Sequence, residues 1–320
     1  MYESPADLAD LRPRRQILDR IFKGSTLAAG AVILIVLALI AWTISGKSLP
    51  VFRHEGIRFF TERRWAPTKE IYGALSFIYG TGVTALIAVV ISVPVSIGIA
   101  LFTTQVAPAR LKKWLVSLTD LLAVVPSVVF GLWGIIFLAP KLVGFYKTVS
   151  GWFHGWPVLG HIFGRTGAGR TFMTAGLILA VMITPIITSI AREVIETCPQ
   201  TDRDGALALG ATRWEMITGA VLPHSMTGIV GAVMLGLGRA MGETIAVALV
   251  IGSSPTITAN LFSSGDSLPS VIAFQWGEAT TEVKRSALIA MGLTLFILTI
   301  IVNLTATAVV GRATRRVQGA

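Results

Sequence analysis

SMTGIVGAVMLGLGRAMGETIAVALVIG (residues 225–252) is apolar or small almost throughout, yet it carries Arg239 and Glu243. About 20 consecutive apolar residues suffice for a helix to cross the hydrocarbon of a bilayer. Working outward, five more such runs occur at 25–44, 75–102, 115–139, 172–191 and 287–310. Inside hydrocarbon every backbone N–H and C=O must be paired within the protein, so these runs are expected to be helices. The expected fold is an all-α polytopic membrane protein with six transmembrane helices. Composition agrees: of 320 residues 53% are hydrophobic and only 14% charged, with a mean hydropathy of +0.72. Pro94, Pro126 and Pro185 each remove a backbone donor inside a run and should bend their helices.

The first 24 residues are polar and basic, and the run behind them is longer than the core of a typical signal peptide, which points to an uncleaved anchor. The expected division is a polar tail over 1–24, a six-helix membrane domain over 25–310 and a second tail over 311–320. An even number of spans puts both termini on the side of segment 192–224. That side holds 14 Lys/Arg and the other 12, so the positive-inside rule favours it as cytoplasmic only slightly. The net charge of +10 fits membrane orientation and attraction for anions better than nucleic-acid binding. Cys198 is the only cysteine, so no internal disulfide forms, and it reads as a plain loop residue. His54, His154, His161 and His224 lack metal-ligand spacing.

Several stretches outside the spans read as anchors or connections. FFTERRWAP (59–67) suits a platform at headgroup level, and 141–163, rich in aromatics and Gly, suits a helix lying in the interface with Trp152 and Trp156 as belt residues. The Ser-, Pro- and Thr-rich segment 253–286 reads as a surface loop. GRTGAGRT (164–171) nearly fits a phosphate-binding loop, but Arg170 replaces the lysine and no strand precedes it. Without a strand–loop–helix nest of backbone donors it is read as a decoy.

Arg239 and Glu243 are the candidate functional pair. An arginine at the centre of a span costs roughly 2.5–3.5 kcal/mol on insertion scales. The i, i+4 spacing would place both side chains on one helical face, where they could neutralise each other. Gly238 and Gly242 would let another helix approach beside them. Two readings stand: a salt bridge that locks helix packing, or a station on the path of an anion, for which the guanidinium offers a planar fork to two oxygens. Ser127, just behind Pro126, is a further candidate: its hydroxyl either faces a cavity as a neutral donor or bonds its own helix backbone. Gly131 and Gly134 fit close packing.

The segment REVIETCPQTDRDGALALGATRWEMITGAVLPH (192–224) carries the most specific signal. Pro199 should end one helix and Asp202 and Asp204 favour the start of the next, giving a short helix over 202–209, a turn at Gly210 and a second helix over 212–221. Pro223 then begins the return to the membrane. Ala206, Leu207, Leu209 and Trp214 would give this elbow an apolar face outside the bilayer, which needs a partner groove.

The pattern Asp204-Gly205-Ala206, Gly210, Leu222-Pro223 resembles the E-A-A-x-x-x-G…I-x-L-P loop of ABC-importer permeases, with Asp for Glu, Gly for Ala and Ala220 at the Ile position. With AVVPSVVFGLWGIIFLAP (123–140), ALALGATRWE (206–215) and GLGRAMGETIAV (236–247), the chain resembles phosphate-importer permeases of the PstC type over most of its length. The resemblance implies a subunit with no enzymatic chemistry and no cofactor of its own. It implies docking of the elbow on a dimeric ABC ATPase that binds ATP and Mg²⁺, a second homologous permease subunit, a phosphate-binding protein on the outer face, surrounding membrane lipids, and passage of phosphate beside Arg239 and Glu243. It also assigns the elbow and both termini to the cytoplasmic side of a bacterial inner membrane. Charge alone equally allows sulfate, molybdate or phosphonate. An ion-coupled secondary transporter or an intramembrane enzyme using Glu243 fits less well: the first commonly shows inverted repeats, and the second would need further catalytic groups that are not seen.

Overall fold

The computed structural model describes residues 5–165 and 167–318, with side-chain surroundings for 19–165 and 167–308. The chain is helical almost throughout. It opens with α1 (Pro5–Glu55) and the short α2 (Arg58–Thr61), followed by a two-stranded antiparallel ribbon of β1 (Trp65–Ala66) and β2 (Ile71–Tyr72). Then come α3 (Leu75–Leu101), α4 (Ala109–Val124), α5 (Ser127–Trp133), α6 (Ala139–Trp152), α7 (Leu159–Ile162) and α8 (Phe172–Glu196). The remainder is α9 (Gln200–Ala208), α10 (Arg213–Met216), α11 (Leu222–Gly242), α12 (Ile245–Val250), α13 (Leu268–Gln275) and α14 (Glu282–Gln318). π-turns over 134–138 and 217–221 join α5 to α6 and α10 to α11 without a break. Six stretches among the described residues are long and apolar enough to cross a membrane: Asp19–Glu55, Leu75–Val106, Ser127–Trp152, Phe172–Glu196, Arg213–Gly242 and Glu282–Ala308.

Helix α8 is the centre of the bundle. Phe172, Leu179, Ile183 and Ile187 on it are fully buried and form one core with residues of α3, α11 and α12. Lipid is as apolar as a leucine side chain, so these helices are held by close packing rather than by escape from water. Small residues make that possible: Gly176 faces Ile87, and Gly236 faces Ile187. Pro94 and Pro185 lie inside continuous helices, and nearby Ser96 Oγ donates to Thr184 O across the α3–α8 contact at 3.1 Å. Helix α1 stands outside the core against α14, and its apolar window, including Trp42 at 80% exposure, is open.

Four expectations are corrected. The third run does not span over 115–139. At Val125 and Pro126 the backbone turns extended, so α4 is a separate helix and the span runs from Ser127 to Trp152. Much of the supposed interfacial helix over 141–163 is therefore the end of that span. The aromatic stretch 59–67 is partly a packed plug rather than only a headgroup platform: Phe59 is buried among Val51, Tyr72, Phe77 and Leu288, and Trp65 Nε1 donates to Gln275 Oε1 at 2.8 Å. Cys198 is a buried side chain among Ala191, Ile195 and Met216, not a plain loop residue.

Segment 253–286 is the fourth correction, since residues 265–271 are buried. The first N–H groups of a helix have no intrahelical acceptor. Here Phe172 N donates to Ser263 O (3.1 Å), Met173 N to Leu261 O (3.0 Å) and Thr174 N to Thr171 Oγ1 (3.1 Å). A polar loop is drawn inward because it supplies the acceptors that α8 lacks. Leu268 N in turn donates to Thr81 Oγ1 on α3 at 3.0 Å, and a Cβ at Gly80 would collide with the Asp266 carbonyl.

Asp266 itself is 5% exposed. Burial pushes its carboxyl up to about 6, against the opposing effect of the hydrogen bond from Ser267 N. The folded protein therefore holds this proton more tightly than the unfolded chain does. Its contribution to stability is full below about pH 4 and is lost as pH rises to about 6. Asp266→Asn should flatten that part of the melting-temperature profile in detergent and stabilise the protein at pH 7 by up to about 3 kcal/mol. An unchanged slope between pH 4 and 6 would contradict this assignment.

Candidate functional site

Two regions carry the residues singled out in the sequence: the elbow and the end of α11. The elbow is built by its caps. Pro199 starts α9, and Leu209 ends it with Gly210 in the left-handed region at φ +87°. Ala211 N donates to Ala206 O (3.1 Å) and Gly210 N to Leu207 O (3.0 Å), which is the bond pair of a Schellman stop. Thr212 then caps α10 in a capping box: Glu215 N donates to Thr212 Oγ1 at 3.3 Å, and Thr212 N donates to Glu215 Oε2 at 2.7 Å. Arg203 Nη2 ties the elbow to the end of α8 through Ile195 O (2.9 Å), and the Lys112–Glu196 pair (2.8 Å) ties α4 to the same turn.

The elbow's apolar face is present in part. Leu207, Leu209 and Trp214 are exposed, Leu209 at 91%. Ala206 turns inward onto the buried cluster around Ile195 and Cys198, and Leu222 packs at the same root, while Pro223 is half-buried at the first turn of α11. Asp204 and Gly205 lie on the exposed side, and Asp204 Oδ1 accepts from Gln200 Nε2 at 3.1 Å. The T-x-x-E signature of the capping box was legible at 212–215, and Arg203 had no local signal because its partner lies on another helix.

Arg239 and Glu243 are arranged differently from the expectation of a neutralised pair on one face. Helix α11 stops at Gly242, so Arg239 lies in its last turn. Glu243 is extended (φ −69°, ψ 125°) and its buried carboxylate turns to the next helix, where Oε1 accepts from Ala246 N at 3.4 Å. No ion pair joins Arg239 to Glu243 among the described residues, and the guanidinium is exposed. The close helix approach expected at Gly238 and Gly242 is not made within this chain, since nothing lies within 4 Å of a Cβ at either. Gly231, Leu235, Gly238, Arg239 and Gly242 recur at helical spacing and form an open stripe, with Leu235 61% exposed.

Ser127 opens α5 and is half-buried, with no hydrogen bond from its hydroxyl among the described residues, so the alternative of a bond to its own helix is not realised. α5 packs on α12, the helix that follows Glu243: a Cβ at Gly131 would stand 2.9 Å from Ala246 Cα, and one at Gly134 would meet Ile178. The helix that Ser127 begins and the helix that follows Glu243 are thus in contact, whereas Arg239 is exposed on the open stripe. The decoy at 164–171 is preceded by α7, not by a strand, and Thr171 serves as the cap of α8; Thr166 lies outside the described residues. No group of three His, Cys, Asp or Glu side chains suited to a metal occurs among the described residues.

A family described as "Binding-protein-dependent transport system inner membrane component" matches residues 92–317. The chain is 40% identical over 308 residues to the phosphate transport system permease protein PstC of Xylella fastidiosa, covering 96% of this chain and 94% of that one. It is 38% identical over 290 residues to the protein of that name from Mesorhizobium japonicum (90% and 89% covered) and 40% identical over 309 to PstC 2 of Mycobacterium bovis (94% of each). Two solved structures share the fold. One is a bacterial ABC transporter involved in import of the acidic polysaccharide alginate (17% identity, TM-score 0.53, 94% of this chain and 99% of that one). The other is the inward-facing MetNI methionine ABC transporter (16% identity, TM-score 0.51, 76% and 94%).

The α5–α12 contact and the elbow respond oppositely to an added methyl. Gly131→Ala should cost on the order of 1–3 kcal/mol, because beside the Leu249 side chain the new methyl meets backbone Ala246 Cα, which cannot rotate away. Gly205→Ala, in open space on α9, should gain roughly 1 kcal/mol from helix propensity. Melting both in the same detergent checks the pair; a Gly131→Ala protein as stable as wild type would show that α5 and α12 do not touch.

Proposed function

Because the chain belongs to the family of binding-protein-dependent transport system inner membrane components, we propose that it is a permease subunit of an ATP-driven importer of inorganic phosphate. The observation that carries the mechanism is Arg239: an unpaired guanidinium on an open helical stripe. A permanently charged group on a spanning helix needs water or a counter-ion beside it. An aqueous route for a tetrahedral dianion supplies both, and the planar fork donates to two phosphate oxygens at once. Glu243 accepts from the backbone of α12 and makes no ion pair with Arg239 among the described residues, which leaves the guanidinium fork open to an anion. Its role in this reading is to hold the helix break that presents the arginine.

The stripe of Gly231, Leu235, Gly238 and Gly242 accepts the second, homologous permease subunit, and the path lies between the two. Leu207, Leu209 and Trp214 dock into a groove of the ATPase dimer, which holds ATP and Mg²⁺. A binding protein delivers phosphate at the opposite face, so the elbow and both termini are cytoplasmic. ATP-driven closure of the ATPases moves the elbow and the path opens alternately to each side. Ser127, half-buried at a helix break and with no hydrogen bond from its hydroxyl among the described residues, offers a neutral donor at a point of the path separate from Arg239. Sulfate and molybdate share the tetrahedral geometry. The name carried by the relatives favours phosphate among them.

Arg239→Ala should reduce uptake of labelled phosphate at least a hundredfold while leaving co-purification with the ATPase intact, a loss of about 2.7 kcal/mol or more. Arg239→Lys keeps the charge but not the fork, and should retain partial uptake. Wild-type uptake by the alanine variant would remove Arg239 from the path. Leu209→Glu with Trp214→Glu should abolish co-purification with the ATPase in a protein that still melts cooperatively; retention of the ATPase would place docking elsewhere.

A further inference from the structure

We propose that the end of the third span remote from the elbow carries a binding site for the phosphate headgroup of an anionic phospholipid, formed by Lys147, Ser150, Gly151, His154 and Arg165. These residues line a recess of about 480 Å³. Lys147 and Gly151 lie one turn apart at the end of α6, His154 follows in the turn just beyond it, and Arg165 closes the recess from the facing segment of chain. Neither the two cations nor His154 has an ion-pair partner among the described residues. The sequence has no acidic residue between Asp120 and Glu193, while Lys141, Lys147, Arg165 and Arg170 all fall in that interval. No carboxylate lines the recess, so the charges on its walls are positive.

The two walls are fixed to each other. Tyr146 stacks on Phe262 with centroids 4.3 Å apart, and Phe153 stacks on Phe163 at 5.1 Å. Asn260 Nδ2 donates to Arg165 O at 3.0 Å, and Phe262 N donates to Asn260 Oδ1 at 3.0 Å. Tyr146 is further held through its hydroxyl by Thr174 Oγ1 at 2.9 Å. The cations thus line a shaped hollow braced from beneath, not a mobile loop.

Position decides between a lipid and other anions. The recess lies where the span Ser127–Trp152 ends, and it is flanked by Phe145, Trp152 and Trp156, exposed at 58%, 70% and 59%. Exposed aromatics beside cations at a span terminus are the chemistry of the headgroup layer. A concave hollow fits one compact phosphodiester better than the broad face of an acidic protein. The site stands independently of what the protein transports.

The test is native mass spectrometry of the purified full chain in detergent, offered phosphatidylglycerol and phosphatidylcholine with the same acyl chains. Wild type should retain phosphatidylglycerol preferentially, and Lys147→Gln with Arg165→Gln should lower that preference roughly twenty-fivefold, about fivefold per charge. Lys147→Arg with Arg165→Lys should restore it. Should the double variant fail to melt cooperatively, each single variant carries the same test at about fivefold. Equal retention of the two lipids, or an unchanged preference in the variants, overturns the proposal. Displacement of the lipid by millimolar inorganic phosphate reassigns the hollow to the free anion. Absence of lipid preference together with weaker binding-protein capture by the variants reassigns it to a protein interface. Both reassignments count against the lipid site.

Discussion

Backbone groups freed at a helix end within an apolar layer cannot turn to water, and where each finds a partner shapes this molecule. The N–H groups that open α8 bond to carbonyls of Leu261 and Ser263, which draws a polar loop into the core. The N–H of Ala246 bonds to the Glu243 carboxylate, which turns that acid away from Arg239. Outside the core, Gly210 and Thr212 close the two ends of the elbow. An orphaned buried donor costs about 1–3 kcal/mol, so each partnership constrains the fold more than any single apolar contact on the lipid-facing surface.

The elbow and Arg239 are two ends of one object. From Arg213 to Gly242 the chain is helical without interruption, the π-turn over 217–221 being accommodated within it. Thirty residues of helix extend about 45 Å. Gly236 packs against Ile187 and Gly228 against Val194, so this rod is seated on α8. A displacement imposed at Trp214 is therefore delivered along a stiff element to the turn that bears the guanidinium. In the proposed importer that is how a soluble motor acts on a path across the membrane without chemistry of its own in this chain.

Much of the fold was legible, since each of the six apolar runs overlaps a span. Their ends were not. Hydropathy runs on through 245–250, so nothing in the apolar pattern marks the stop at Gly242, and an i, i+4 spacing drawn across that stop put Arg239 and Glu243 on a face they do not share. Pro126 was expected to bend its helix, but the apolar residues before it hid that α4 is a separate helix. The loop over 253–286 has the composition of a surface segment, and its burial follows from acceptors needed by α8, a demand encoded elsewhere in the chain. The elbow was read closely because its signals are local: a proline, a glycine turn and apolar residues amid polar ones. Of its face, only Ala206 proved to point inward, a side chain small enough to suit either environment.

Arg239 beside an aqueous anion route is the central claim, and the buried Cys198 allows a direct measurement. With Cys198→Ala as background, Arg239→Cys is exposed in the assembled importer to water-soluble methanethiosulfonate reagents, and labelling and phosphate uptake are followed together. The expected result is labelling slowed by phosphate, with partial return of uptake after a cationic reagent and none after an anionic one. A thiol at 239 that stays unreactive with ATP present or absent would contradict the route, because the side chain would then be sealed in dry packing throughout the cycle.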